Sequence, residues 1–166
     1  MKVNGLFVSC VLGFWFSLSA SFSHAEGVKF SIATGVPFFA IPEVSYFNAE
    51  NQRWYTNLKV GFGSGVSLGW EKALDVKNIH AYGIVIGVIG VQDGIKDCED
   101  NNDILCIDDS EIFPDETTIG AGITYSYSFN GLNKRGMRWR VEVGFGEGNE
   151  SHEKNFKGGL SLGYQF

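Results

Sequence analysis

No stretch of this 166-residue chain beyond its first residues carries the three-to-four-residue apolar spacing of an amphipathic helix, which argues against a helical or mixed architecture. Basic tracts are also missing. Thirteen Lys and Arg stand against 19 Asp and Glu, a formal net charge of −6, which argues against nucleic acid as a partner. Proline is scarce, at three residues, so few positions forbid a β-ladder. Cysteine is as rare, and one of the three, Cys10, falls in an N-terminal leader.

That leader, MKVNGLFVSCVLGFWFSLSASFSHA, opens with a lysine and runs apolar from Leu6 to about Leu18. It closes on Ser23-His24-Ala25, a small-x-small cleavage pattern. The layout is that of a secretory signal peptide over residues 1–25, and its apolar core is short for a membrane anchor. Cleavage near Ala25 takes away one lysine and no acid, so −6 becomes −7 for the domain 26–166. The remaining pair, Cys98 and Cys106, is expected to form a disulfide in an oxidising destination.

What is present is alternation. GVKFSIATG sets Val28, Phe30 and Ile32 on one side, and RWYTNLKVGFG does the same with Trp54, Leu58, Val60 and Phe62. GVSLGW, HAYGIVIGVIGV, IGAGITYSYSF, MRWRVEVGFG and the terminal GGLSLGYQF repeat the pattern, and EVSYFN is a short further candidate. Eight strands result, with a break expected between Pro37 and Pro42 and Val88 expected on the face of Tyr82, Ile84 and Ile86. The third and fourth strands, around Gly61–Gly65, could run together as one. The short connections NAEN, EKALDVKN and NGLNKRG fall at one end of such a meander, and the segments 92–117 and EGNESHEKN at the other. The predicted fold is all-β, a single closed up-and-down antiparallel barrel.

Composition of the second parity predicts which face turns outward. It is rich in Gly and small hydroxyl residues, such as Gly69, Gly83, Gly120 and Gly122 with Ser67, Thr124, Ser126 and Ser128. Glycine weakens a solvent-facing strand but relieves crowding inside a narrow barrel. Lys29, Lys59, Glu71, Arg138, Arg140 and Glu142 share that parity, so they are expected as barrel-interior charges that need partners. The apolar parity would then face lipid, where closure into a barrel satisfies every strand amide.

The terminal LSLGYQF resembles the C-terminal strand of Gram-negative outer-membrane proteins, which typically ends on phenylalanine with apolar residues at alternate positions before it. Leu160, Leu162, Tyr164 and Phe166 occupy those places. With the leader and the strand count, the mature chain is similar to the small eight-stranded barrels related to the OmpX and OmpA membrane domains. The resemblance implies a bacterial outer-membrane location, contact with membrane lipid and lipopolysaccharide, handling by the assembly machinery, and a monomer. It implies nothing about activity.

Two segments hold candidate chemistry. QDGIKDCEDNNDILCIDDSEIFPDET carries ten acids and one lysine. Within it Asp97, Glu99, Asn101, Asp103 and Asp108 stand at spacings reminiscent of a calcium loop, although Asn102 replaces the usual glycine and Asp108 the final glutamate. No cofactor is expected, and calcium or another divalent cation is the one candidate these residues suggest. Ser151 and His152 are the right residue types for acyl transfer, but neighbours on one loop rarely align as nucleophile and base. The expectation is a structural or surface-interaction role, adhesion or contact with an unidentified ligand, through loops of a barrel too narrow for a wide pore. An outer-leaflet lipid-modifying acyl hydrolase and a soluble periplasmic or secreted binding barrel are the alternatives.

Overall fold

The computed structural model describes residues 27–92, 116–149 and 151–166. Eight antiparallel strands close into one barrel in chain order. They are β1 Val28–Val36, β2 Phe38–Ala49, β3 Gln52–Gly61, β4 Ser64–Ala73, β5 His80–Gln92, β6 Glu116–Ser128, β7 Gly136–Gly148 and β8 Lys154–Gln165. β8 pairs with β1 through Val36↔Leu160 to Ser31↔Gln165, so no strand has a free edge. Strict alternation is what makes this possible, since period two sends consecutive side chains to opposite faces of every strand.

Connections 50–51, 74–79 and 129–135 lie at one end of the barrel, here the turn end, together with the start of β1 and the end of β8. Pro37 and residues 62–63 link strands at the opposite, loop end, where 93–115 and 149–153 also join them. Two of the four loop-end links are thus tight. Gly61–Gly65 is a hairpin turn rather than a continuous strand, closed by the Gly61 amide donating to the Gly63 carbonyl at 2.9 Å.

Two local expectations are corrected. Pro42 does not break the second strand, which runs unbroken from Phe38 to Ala49. Pro42 pairs with Ile32 on β1, while β2–β3 pairing skips from Ala40↔Val60 to Glu43↔Asn57. The missing proline N–H is therefore placed where the ladder has a gap. Val88 lies inside rather than with Tyr82, Ile84 and Ile86. A bulge lets Val88 and Ile89 together oppose Ile119, and Gly87 enters it at φ +113°, a conformation that side chains resist.

The interior is filled in layers. Phe47, Ala81 and Leu132 close it at the turn end, and Phe38, Ile41 and Val88 form an apolar layer nearer the loop end. Between them lies a layer of charge.

Candidate functional site

Glu43 on β2 is the hub of that layer. Its Oε1 accepts from Arg138 Nη2 at 2.7 Å and Arg53 Nη1 at 3.1 Å, and its Oε2 accepts from Arg140 Nη1 at 2.7 Å. Ser31 and Ser45 donate to the same carboxylate at 3.3 and 3.1 Å. Glu71 on β4 is the second hub, accepting from Arg53 Nε at 2.8 Å and Nη2 at 2.5 Å, and pairing with Arg140 Nε at 3.0 Å. Both Arg53 contacts fall on Oε2, while Thr124 and Ser126 donate to Oε1, the oxygen that also faces Arg140. Lys59 pairs with Glu142 and also donates to the Val88 carbonyl at 2.7 Å, which the β5 bulge turns inward.

Each of these charges is buried, and burial of an ion is costly unless partners and hydrogen bonds surround it. Here seven of the eight strands contribute side chains, β8 through Gln165, which accepts from Arg138 Nη1 at 3.3 Å, so the network ties distant parts of the wall together. Arg140 also lies over the Tyr55 ring, 4.0 Å from its centroid. Tyr55 in turn crosses Gly69: a Cβ there would stand 2.1 Å from Tyr55 Cζ. Glycine at 69 is what gives the aromatic ring its space.

Of the charges expected inside, Lys59, Glu71, Arg138, Arg140 and Glu142 occupy this layer. Lys29 pairs with Ser45 near the turn end, is half-buried and makes no ion pair among the described residues. Glu43 and Arg53 were not among the expected charges, although Glu43 holds three arginines and Arg53 bridges Glu43 and Glu71. Their signal was available, since Arg53 shares parity with Lys59, and Glu43 opposes the apolar Val44 and Tyr46.

At the loop end Glu116 accepts from the Ser151 amide at 2.6 Å and from Gln92 Nε2 at 2.8 Å. The Ser151 hydroxyl accepts from Gln92 Nε2 at 2.7 Å and from the Glu153 amide at 3.2 Å. His152 turns instead toward Glu147, with Nδ1 2.8 Å from its carboxylate, and is largely exposed. The structure gives Ser151 and His152 separate partners. Asp97, Glu99, Asn101, Asp103 and Asp108, with Cys98 and Cys106, lie outside the described residues. Among the described residues no group of three or more His, Cys, Asp or Glu could hold a metal ion.

The outer wall is the reverse of the interior. Ile32, Val66, Leu68, Ile84, Ile86, Ile123, Phe145 and Leu160 are each 45–63% exposed. Leu162 and Tyr164 continue that face on β8, and Phe166, just past its end, stacks on Phe30 with centroids 6.0 Å apart. A chain that buries arginine and glutamate while exposing isoleucine is built inside out. No family model, characterised protein or solved structure matches this chain. Geometry and chemistry alone carry the functional reading.

Aromatic side chains on the wall are unevenly placed. Trp54 pairs across the ladder with Trp70 and with Tyr46, Tyr82 with Tyr125, and Tyr127 with Trp139. With Tyr164 they form a band around the turn end. The loop end carries phenylalanine instead, as Phe39 packed edge-on against Phe62 and Phe145 paired with Phe156.

Proposed function

We propose that this chain is an integral outer-membrane β-barrel whose wall faces lipid and whose packed interior conducts nothing of appreciable size. One observation carries the reading: the exposed face of the closed barrel is apolar while Glu43, Arg53, Lys59, Glu71, Arg138 and Arg140 are buried within it. In water that arrangement would be inverted, because about 25 cal/mol is lost for each Å² of apolar surface left wet. Resemblance of the terminal strand to Gram-negative outer-membrane proteins supports the same location, and the eight-stranded closure supports kinship with OmpX and OmpA membrane domains.

Work at the membrane would then be structural, or would be done by the loop end through contact with lipopolysaccharide or a surface ligand. The loop end gives the acyl-hydrolase alternative little support, since Ser151 is engaged by Gln92 and His152 by Glu147. The mature chain, refolded into detergent or vesicles, is expected to migrate faster on a gel before boiling than after, and to add no steady conductance to a planar bilayer. Solubility as a folded monomer without detergent would remove the proposal.

A further inference from the structure

The two rims of the wall differ in chemistry, and the difference points to a lipid. Among the described residues every tryptophan and tyrosine except the interior Tyr55 lies in the turn-end band, and the loop end has phenylalanine alone. Indole N–H and phenol O–H groups favour the level where ester and phosphate groups replace hydrocarbon, whereas a phenyl ring has no polar handle to place there.

Charge follows the aromatics. Lys72 stands on the same face of β4 as Trp70 and the exposed Leu74, between Gln52 and Tyr82 in the ladder. From that position its stem can run along the wall and its ammonium reach the headgroups. Just beyond the band, a cleft of about 480 Å³ opens between the 74–79 and 129–135 turns, with Lys77 and Lys134 on its lining. Val76, fully exposed, and Phe129 give the cleft an apolar border. Arg135 follows Lys134 on the same turn and is exposed. Two acids offset these cations at this rim. Glu50 lies at the cleft, and Asp75 is occupied by the backbone amides of Lys77, Ile79 and His80.

We propose that the turn-end rim is a binding surface for anionic glycerophospholipid headgroups, held by Lys72, Lys77, Lys134 and Arg135. The inference rests on the membrane reading above and adds to it the class of lipid and the rim that meets it. A cationic cleft bordered by apolar side chains suits a phosphate joined to an acyl-bearing glycerol. Paired with a phosphatidylcholine headgroup, the same cations would meet a choline of like charge.

The chain supplies its own reporters, because Trp54, Trp70 and Trp139 are its only tryptophans after the leader and all three lie in the band. The mature protein is reconstituted into mixed bilayers of phosphatidylcholine and phosphatidylglycerol, with brominated chains on one lipid or the other. Brominated phosphatidylglycerol is expected to quench the tryptophans more strongly at equal mole fraction, with an apparent preference of about fivefold, near what one close cation–headgroup contact confers. High salt, and the combined variant K72Q/K77Q/K134Q/R135Q, are each expected to bring the ratio close to one. Equal quenching by both lipids, or a preference unchanged in the variant, would overturn the assignment while leaving the membrane barrel standing. Absence of quenching by either lipid would instead remove the membrane reading itself.

Discussion

Arg140 on β7 reaches Glu43 on β2 across the inside of the barrel, Nη1 to Oε2 at 2.7 Å, joining residues 97 positions apart in the chain. That contact can form only when the barrel has closed, and the same carboxylate also holds Arg53 and Arg138. Electrostatics and closure are therefore coupled in one group.

Glu43→Gln keeps the shape of the side chain but leaves three buried guanidinium groups sharing one fewer carboxylate. Breaking a buried pair by neutralising one partner costs about 3–5 kcal/mol. The urea midpoint of the refolded protein, read from the folded and unfolded gel bands, is expected to fall accordingly. A midpoint unchanged from wild type would show that Glu43 is not the hub.

Gly69→Ala tests packing in the same layer. The added Cβ would stand 2.3 Å from the Tyr55 hydroxyl, so the ring must move and its contact with Arg140 must loosen. Overpacking of this kind costs about 1–3 kcal/mol. Tyr55→Leu in the same background is expected to restore part of the loss, since a smaller side chain frees the space. Equal stability of wild type and the single variant would contradict the close approach.

Asp75 gives a pH dependence confined to the turn end. The His80 amide first, and then those of Ile79 and Lys77, hold its carboxyl below the usual value of 3.8 against a smaller opposing effect of desolvation. A folded pKa below the unfolded one means that its contribution is complete above the unfolded value. It is lost as pH falls through the folded value. Protection of the Ile79 and His80 amides, their exchange rate relative to an unstructured chain at the same pH, is expected to hold near neutrality and to fall only in acid below pH 3.8. Asp75→Asn should make exchange faster at neutral pH and remove the acid step; an acid step surviving in that variant would assign it elsewhere.

Ser151→Ala separates a turn residue from a nucleophile. Loss of the Gln92 and Glu153 contacts should change stability by no more than about 3 kcal/mol, the usual upper worth of two hydrogen bonds. Membrane lipid profiles of cells making wild type, Ser151→Ala or His152→Ala are expected to be the same by mass spectrometry. A lipid species lost in wild-type cells alone would instead restore the hydrolase alternative.

Much of the architecture was legible because alternation is a local property. Trp139, Val141, Val143 and Phe145 announce an outward face without reference to any other strand, and the glycines and charges between them announce a crowded inner one. Pro42 misled for the same reason: a proline forbids one hydrogen bond, but only the neighbouring strand shows whether that bond was needed. Val88 could not be placed from periodicity, because a bulge of one residue reverses parity for the rest of the strand: Ala81, Gly83 and Val85 are buried before it, Val88, Gly90 and Gln92 at and beyond it.

By itself, then, the sequence determined the closed all-β class and the apolar wall, both encoded in period-two patterning that a strand expresses wherever it lies, while the turn that separates β3 from β4 was settled by the fold. Tertiary structure alone decided that Glu43 and Glu71 would be shared among Arg53, Arg138 and Arg140, and that Ser151 and His152 would be given to different partners. Those outcomes depend on strand register, stagger and closure, which bring side chains from opposite walls within a few ångströms. No local pattern carries that information, because the relevant distances exist only once the eighth strand has paired with the first.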